Sequence, residues 1–368
     1  MLTPSYLAGA PDRLVDLYGE VERDILANMA ERIAKYDYYI PAAQHQHQKL
    51  RAMGMLESDI EAELAKLTGK SQTEIKRLMA DAVEKSLTED AKIYAAAGMG
   101  DVDPLAVSGV NDVLRSGLTQ TAGIFRNLTR TTANTASKQF EDALDRAWLQ
   151  ITSGGFDYNT AVRNAVKDLS RSGVKAITYP SSHVDSLEVA VRRAVVTGVN
   201  QTAAKSQIAL MDELGATLVE VTAHSGARPG HAEWQGKIFC RKGKHPKYKN
   251  FEEATGYGTG DGLCGWNCSH SFYPYFEGAP RTYSSEQLRQ YDAKKISYNG
   301  EKLTMYEATQ QQRYIERQIR RWKREQTAMA AAGQSTDEAR AKVAAWQARQ
   351  RDFIKQTGLK RDSAREQI

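Results

Sequence analysis

A chain of 368 residues, 41% of them hydrophobic, is long enough for two or three domains with their own cores. No run approaches the roughly 18 apolar residues of a membrane-spanning helix, and the N-terminus lacks the pattern of a secretion signal, so we expect a soluble protein without membrane contact. Three cysteines are too few for a disulfide framework and favour a reducing compartment.

The net charge of +5 is unevenly distributed along the chain. Residues 281–368 contain 19 Lys and Arg against 11 Asp and Glu, a balance of +8, whereas the preceding residues contain 31 against 34. This distribution permits contact of the tail with an anionic partner but does not require it. The alternative is a solvated helix whose arginines pair with neighbouring glutamates.

The first hundred residues predict a helical region. Apolar residues from Leu14 to Ile33 recur every three or four positions, which is the spacing of an amphipathic helix. A second helix follows Pro41, a third ends at Gly69, and a capping box at Ser71 begins a fourth. The segment "LAKLTGKSQTEIKRLM" has the rhythm of a helix-turn-helix motif, with a plain helical hairpin as the simpler interpretation.

The middle of the chain predicts closely packed helices followed by a change of structure. Residues 101–215 are rich in small residues, are interrupted at "SGGFD" and "RSGVKAITYPSS", and close with a helix from about Asp185 to Gly215. "ATLVEVTA" then alternates as a strand does. We therefore predict a mostly α fold with a small α+β module, in four regions: 1–100 (helical), 101–215 (helical bundle), 216–280 (compact module) and 281–368 (helical basic tail).

The compact module carries a candidate metal site. In "NCSHSFYPYF", strand alternation would place Cys268, His270 and Phe272 on one face. Cys264 precedes Cys268 by four residues, a spacing found in zinc ligand pairs, and lies on a glycine turn. Further ligands would come from His224, His231 or Cys240. These residues predict either one structural zinc or no cofactor, with histidines that are buried and held by hydrogen bonds.

Two other interpretations of the same module remain open. A catalytic one uses Cys264 or Cys268 as the nucleophile with His231 or His270 as the base, or a hydrolytic metal with Glu233 as the base. Nothing in the sequence fixes an acid, a base and an oxyanion donor together. An architectural interpretation assigns structural roles to residues of the same module. Arg228 would start a turn, His231 and Trp234 would pack as a helical pair, and Gly236 would permit a chain reversal. The structural residues of the glycine loop would be Gly262, Gly265 and Asn267.

The tail predicts a further helix with one apolar face. In "YEATQQQRYIERQIRRWKREQ", an apolar stripe runs along Tyr314, Ile315, Ile319 and Trp322, and the basic residues are expected to face away from it. A surface for nucleic acid would then consist of Arg317, Arg320, Arg321, Lys323 and Arg324.

Three segments together carry a resemblance to a known family: "HSGARPGHAEWQGKIF", "TGYGTGDGLCGWNCSHSFYPYFEG" and "YNGEKLTMYEATQQQRYIERQIRRWK". The chain resembles the minor capsid protein 2 family of tailed bacteriophages, which is similar in turn to the phage Mu F-like minor head proteins. In that wider group, His and Cys positions match His224, His231, Cys268 and His270. The group commonly has a cysteine pair where this chain has Cys268 and His270.

The resemblance implies a structural role without enzymatic activity. It implies a minor capsid protein that is assembled in the host cytoplasm, takes part in head morphogenesis near the portal, and is found in the virion. The partners implied are the portal protein, other capsid proteins and, through the tail, packaged DNA. The alternatives are a phage-delivered metal-dependent hydrolase or nuclease that uses the His/Cys cluster, and a DNA-binding protein that acts through the tail.

Overall fold

The computed structural model describes residues 1–179 and 181–368, apart from the side chain of Thr68, and is mostly α-helical. Its helices are α1 (Pro4–Gly9), α2 (Asp12–Lys35), α3 (Ala42–Ala96), α4 (Ser108–Thr152), α5 (Tyr158–Arg171), α6 (Leu187–Glu213), α7 (Pro229–Ala232), α8 (Phe251–Thr255), α9 (Ser285–Tyr291), α10 (Met305–Ala331) and α11 (Asp337–Thr357). Its strands are β1 (Lys175–Thr178), β2 (Val184–Ser186), β3 (Leu218–Val221), β4 (Ile238–Cys240), β5 (Phe272–Tyr275), β6 (Ile296–Tyr298) and β7 (Glu301–Leu303). The predicted fold class, mostly α with small α+β elements, is confirmed.

The chain forms two compact units, each built from three stretches of sequence. Unit 1 consists of residues 1–11, 72–124 and 193–310, and unit 2 of residues 12–71, 125–192 and 311–368. Helices α3, α4, α6 and α10 contribute residues to both units. The division by contact therefore does not follow chain order, unlike the four consecutive regions expected from composition.

Helix α3 corrects the prediction of three separate helices after Pro41, because it is a single helix of 55 residues. Gly69 lies in its interior, exposed, where an added Cβ would meet no atom within 4 Å. Ser71 is buried, and its hydroxyl donates to the Tyr18 hydroxyl at 3.3 Å. A glycine inside a helix costs only about 1 kcal/mol. The burial of apolar residues on both sides of Gly69 exceeds that cost, so the helix-turn-helix and helical-hairpin interpretations are both wrong: Leu64, Leu67, Ile75 and Leu78 are all buried.

Unit 2 contains the amphipathic helix α2, which packs against α5. Most of the apolar stripe predicted for α2 is buried, namely Leu14, Tyr18, Val21, Ile25, Met29 and Ile33, whereas Leu17 is half-buried. Helix α5 begins at Asp157, whose carboxylate accepts the Thr160 N–H at 3.0 Å and so caps the helix. The antiparallel hairpin of β1 and β2 was not predicted: both strands are short, β1 lies within the segment interpreted as a break between helices, and β2 lies where the next helix was expected to begin, near Asp185.

Unit 1 contains an antiparallel three-stranded sheet in the order β4-β3-β5. The predicted strand "ATLVEVTA" supplies β3, which is the central strand and is buried along its whole length. Val219 on β3 lies opposite Phe239 on β4 and Pro274 on β5. The apolar core of this unit combines the sheet with residues of α3 and α6, among them Leu87, Tyr94, Leu210, Met211, Val221, Phe251 and Phe272. None of the described helices combines the length and apolar character that crossing a bilayer requires.

Candidate metal site

Side chains from three parts of unit 1 converge next to the three-stranded sheet. His231 lies on α7, between β3 and β4, whereas Cys268 and His270 lie just before β5. Because β5 begins at Phe272, the prediction that Cys268 and His270 are strand residues is wrong. The physical reason is Asn200 on α6, whose side-chain N–H groups donate to the carbonyls of both residues at 3.0 Å. Those carbonyls bond to a side chain rather than to a neighbouring strand.

A glycine-built loop delivers Cys268 to this position. Its backbone closes on itself through the N–H of Trp266, which donates to the carbonyl of Gly260 at 2.7 Å. A Cβ on Gly262 would lie 1.9 Å from the carbonyl oxygen of Gly256, and one on Gly265 would lie 2.3 Å from that of Gly260. Only glycine fits such close backbone approaches. The predicted role of this stretch as a tight turn therefore agrees with its geometry, in which Cys264 and Asn267 adopt left-handed conformations (φ 58° and 52°).

The segment "RPGHAEWQG" supports the loop from the other side. Arg228 precedes α7, and its guanidinium donates to the carbonyl of Trp266 at 2.5 Å. The rings of His231 and Trp234 pack as predicted, with centroids 4.6 Å apart, although α7 ends at Ala232 and Trp234 lies in the turn that follows it. Gly236 then reverses the chain with a φ of 64°. Arg228, Trp234 and Gly236 thus lie where a structural motif requires them.

The donor atoms of His231, Cys268 and His270 all lie within 4.8 Å of one another. The Cys268 Sγ is 3.8 Å from Nδ1 of His231 and 3.7 Å from Nδ1 of His270. The outer nitrogens face oxygen acceptors: Nε2 of His231 is 2.9 Å from the carbonyl oxygen of Asp261, and Nε2 of His270 is 3.3 Å from Oε1 of Gln235. A carbonyl oxygen can only accept, so both Nε2 atoms carry the proton and both Nδ1 lone pairs face the sulfur.

The orientation of the Gln235 amide is fixed independently. Its Oε1 also accepts the backbone N–H of His224 at 3.1 Å, which identifies this atom as the oxygen. Since Oε1 of Gln235 can only accept, Nε2 of His270 must donate to it and therefore carries the proton. The sequence did not predict the roles of Gln235, Asn200 and Asp261. Side-chain amides and backbone carbonyls are common, and only the fold brings these three groups next to the cluster.

Burial holds this cluster in its uncharged form. His231, Cys268 and His270 are at most 5% exposed. Burial, with smaller contributions from His224, His231 and Arg228, lowers the pKa of His270 to about 2, and burial also lowers the pKa of His231. Burial raises the pKa of the Cys268 thiol, although backbone N–H groups of His270 and Cys264 oppose it. Neutral imidazoles are the form that binds metals.

Of the other predicted ligands, Cys264 and His224 lie next to this cluster, whereas Cys240 belongs to a different part of the core. Cys264 is buried and its Sγ is 3.7 Å from the carbonyl oxygen of His270. The ring of His224 packs on that of His270, with centroids 4.4 Å apart, and its Nδ1 is 3.0 Å from the carbonyl oxygen of Ser225. Cys240 lies on β4, where its Sγ is 3.1 Å from the carbonyl oxygen of Lys242. All three cysteines are free thiols.

The basic residues of α10 form a less continuous surface than predicted. The apolar stripe is buried at Ile315, Ile319 and Trp322, whereas Tyr314 is exposed and packs against the ring of Trp346. The prediction that all five basic residues face away is wrong for two of them. The Arg320 guanidinium forms an ion pair with Glu188 at 3.0 Å, with both side chains about one-eighth exposed, and Arg324 is buried.

Carboxylates in the same unit explain the inward arginines. Glu22 on α2 is buried, and the nearby Arg324 lowers its pKa against the effect of burial, which is larger. Two further basic side chains are also engaged: Lys323 donates to Oε1 of Gln367 at 2.6 Å, and the Arg321 guanidinium lies 4.6 Å from the Trp322 ring centroid. Arg317 is exposed. Four of the five basic residues predicted to form a nucleic-acid surface are therefore engaged with other residues of unit 2.

Two curated relatives define the class of the protein. A "Structural protein" of Lactococcus phage LL-H is 29% identical over 201 residues, which cover 53% of this chain and 51% of that protein. A "Structural protein" of Lactococcus phage mv4 is 38% identical over 96 residues, which cover 26% of this chain and 69% of that protein. The chain thus spans about half the length of the first relative, and the similarity places it among the structural proteins of phages. No solved structure matches.

The family model described as "Phage minor capsid protein 2" matches residues 2–355. The chain therefore belongs to the phage minor capsid protein 2 family, which confirms the resemblance seen in its sequence. A minor capsid protein is a structural component of the phage particle, and this membership does not favour a hydrolase, a nuclease or a DNA-binding protein.

Proposed function

We propose that this minor capsid protein acts in phage head assembly by binding, next to the portal, with the portal protein and other capsid proteins as its partners. The observation that carries the proposal is the family match over residues 2–355, which covers nearly the whole chain. Assembly would take place in the host cytoplasm, with the protein retained in the virion.

The geometry of the His/Cys cluster supports binding rather than catalysis. A nucleophilic cysteine needs a thiolate and access to substrate. Cys264 and Cys268 are at most 2% exposed, and burial raises the pKa of both thiols. His270, the predicted base, is 1% exposed. This arrangement favours a structural role for the cluster over a hydrolase or nuclease site.

Unit 2 offers an apolar patch suited to a protein partner. We define the apolar patch as Tyr39, Leu149 and Phe156, which are 74%, 62% and 47% exposed. Contacts between their sequence neighbours place these residues in one region: Trp148 donates from Nε1 to the carbonyl of Ile40 at 3.2 Å, the Tyr39 ring stacks on that of Tyr158, and the Phe156 N–H donates to the carbonyl of Gln150 at 3.2 Å. Clusters of exposed apolar side chains mark protein contact surfaces.

We predict that Leu149→Glu weakens binding to the portal protein by at least about tenfold, because it places a charge in a surface that must lose its water. Binding is measured by co-purification of the full chain with the portal protein of the same phage, and by the amount of chain incorporated into heads. Leu105→Glu is the matched control, since Leu105 is an exposed leucine of unit 1, at 44% exposure.

Both variants should keep the unfolding midpoint of the original protein, since both side chains are exposed. Equal portal binding by the two variants would remove the apolar patch from the proposal. A chain that is absent from purified heads would overturn the proposed function itself.

A further inference from the structure

We propose that His231, Cys268 and His270 form a structural zinc site in unit 1. The proposal goes beyond head assembly and portal binding, and it depends on neither. Nitrogen and sulfur donors are those that Zn²⁺ prefers in proteins, and three protein ligands leave one position of the tetrahedron for a further ligand. An open fourth position is typical of catalytic zinc, but His231, Cys268 and His270 are at most 5% exposed, so a substrate has no access and the role we propose is structural.

The spacing of the donor atoms matches that of a coordinated ion. Zinc–sulfur and zinc–nitrogen bonds of about 2.3 Å and 2.0 Å at a tetrahedral angle place the sulfur and each nitrogen about 3.5 Å apart. In the structure, the Cys268 Sγ lies 3.8 Å and 3.7 Å from the two Nδ1 atoms. Both sulfur–nitrogen distances are thus within a few tenths of an ångström of the coordinated value, and zinc would draw the two histidine donor atoms, which lie within 4.8 Å of one another, closer together.

The surrounding hydrogen bonds are those that orient zinc ligands. A metal-bound histidine donates its other N–H to a carbonyl or carboxylate oxygen. Here Nε2 of His231 faces the carbonyl of Asp261, and Nε2 of His270 faces Oε1 of Gln235. The backbone N–H of His270 also donates to the Cys268 sulfur at 3.4 Å, which stabilises a thiolate.

Without a metal, the same arrangement leaves an acceptor unsatisfied. The thiol of Cys268 has one proton and can donate it to only one of the two Nδ1 atoms that face it. The other Nδ1 then stays buried without a donor, which is unfavourable. A zinc ion bound to the thiolate satisfies both nitrogens and the sulfur at once, with release of the thiol proton to solvent.

The test uses the full chain, purified with an affinity tag free of histidine and without chelators. Zinc content is measured by elemental mass spectrometry for the original protein and for Cys268→Ser and Cys240→Ser. We expect about one zinc per chain in the original protein and in Cys240→Ser, and less than about 0.1 in Cys268→Ser. Cys240→Ser is the matched control because Cys240 is also a buried free thiol of unit 1, outside the cluster.

A second measurement keeps the proposal falsifiable if Cys268→Ser does not fold. Cobalt added to metal-free original protein should give a thiolate-to-cobalt charge-transfer absorption, and His231→Gln should bind cobalt and zinc at least about tenfold more weakly. Chelation of the original protein should lower its Tm by roughly 10 °C. Purified protein without zinc and without a cobalt charge-transfer band would overturn the proposal, as would a Cys268→Ser protein that keeps its zinc.

Discussion

Asp90 is a buried carboxylate that joins α3 to the sheet of unit 1. It is 1% exposed, and its Oδ2 accepts from Nε2 of Gln207 at 2.8 Å. The same nitrogen donates to the carbonyl of Phe272 at 2.6 Å. Burial raises the pKa of Asp90 to about 6, and the charge of Glu89 adds slightly to this rise. The Met1 ammonium and Gln207 act in the opposite direction, because they favour the charged carboxylate.

We predict that Asp90→Asn changes the pH dependence of stability. Between pH 4 and 6 the folded protein keeps a proton that the unfolded chain releases, so the carboxyl's contribution to stability falls as pH rises and is constant above pH 6. Asparagine does not titrate. The free energy of unfolding of the variant minus that of the original protein should therefore rise by about 2–3 kcal/mol between pH 4 and pH 7.

Urea unfolding followed by circular dichroism at both pH values measures this difference. Asp101→Asn serves as the control, because Asp101 is an exposed carboxylate of the same unit, and its effect should change by less than about 0.5 kcal/mol. A stability difference for Asp90→Asn that is the same at pH 4 and pH 7 would contradict the assigned pKa.

The sequence predicted the candidate site at the level of residue identity but not of geometry. The spacing of the cysteines and His270, and the histidines after the first strand of the module, predicted five candidate ligands, and three of them, His231, Cys268 and His270, are brought together by the fold. The prediction that Cys268 and His270 lie in a strand was wrong, because the side-chain amide of Asn200 on α6 donates to the carbonyls of both residues. Such a partner, about 70 residues away in sequence, leaves no local pattern.

At the scale of elements, α3 provides a direct test between the sequence-based and structural descriptions. A glycine that ends a helix has a positive φ and loses stability on change to alanine, whereas a glycine inside a helix gains. Gly69 is helical, exposed and surrounded by open space. We predict that Gly69→Ala raises the free energy of unfolding by about 0.5–1 kcal/mol.

The control is the glycine at the actual end of the helix. Gly98 follows α3 with a φ of 80° and an equally open environment, so Gly98→Ala should lower the free energy of unfolding by about 1 kcal/mol. Guanidinium unfolding of both variants gives the two values. A destabilising Gly69→Ala would show that the helix ends where the sequence pattern placed it.

Apolar spacing therefore predicted helices more reliably than single glycines predicted helix ends, since Gly215 follows the end of α6 but Gly69 lies inside α3. The buried stripe of α2 and the termination of α6 before Gly215 followed from apolar spacing and from glycine preference, and both are confirmed. Gly69 was misinterpreted because the cost of one glycine is small compared with the burial gained by residues on either side of it. The hairpin of β1 and β2 was missed because strands of four and three residues are too short for a clear alternation.

At the scale of the whole molecule, the net charge of the tail is larger than the charge that its basic side chains can offer to a partner. The +8 balance of residues 281–368 suggested a surface for packaged DNA. In unit 2, however, Arg320 is paired with Glu188, Arg324 is buried and Lys323 is bonded to Gln367. Such groups have already exchanged water for protein partners, so presenting them to phosphates would first cost those contacts. Sequence composition could not reveal this, because Glu188 lies outside the tail and Gln367 lies 44 residues after Lys323.

We predict that phage heads retain the protein independently of DNA. Protein–DNA contacts lose about 10³–10⁵ in affinity between 50 mM and 200 mM salt, since they depend on counterion release, whereas an apolar protein contact does not weaken in this way. DNA-free heads from a packaging-defective phage and filled heads should therefore contain the same ratio of this chain to the major capsid protein, before and after a wash in about 1 M salt. Quantitative mass spectrometry measures that ratio. Loss of the chain from DNA-free heads, or its release from opened heads as salt rises, would instead assign it to the packaged DNA.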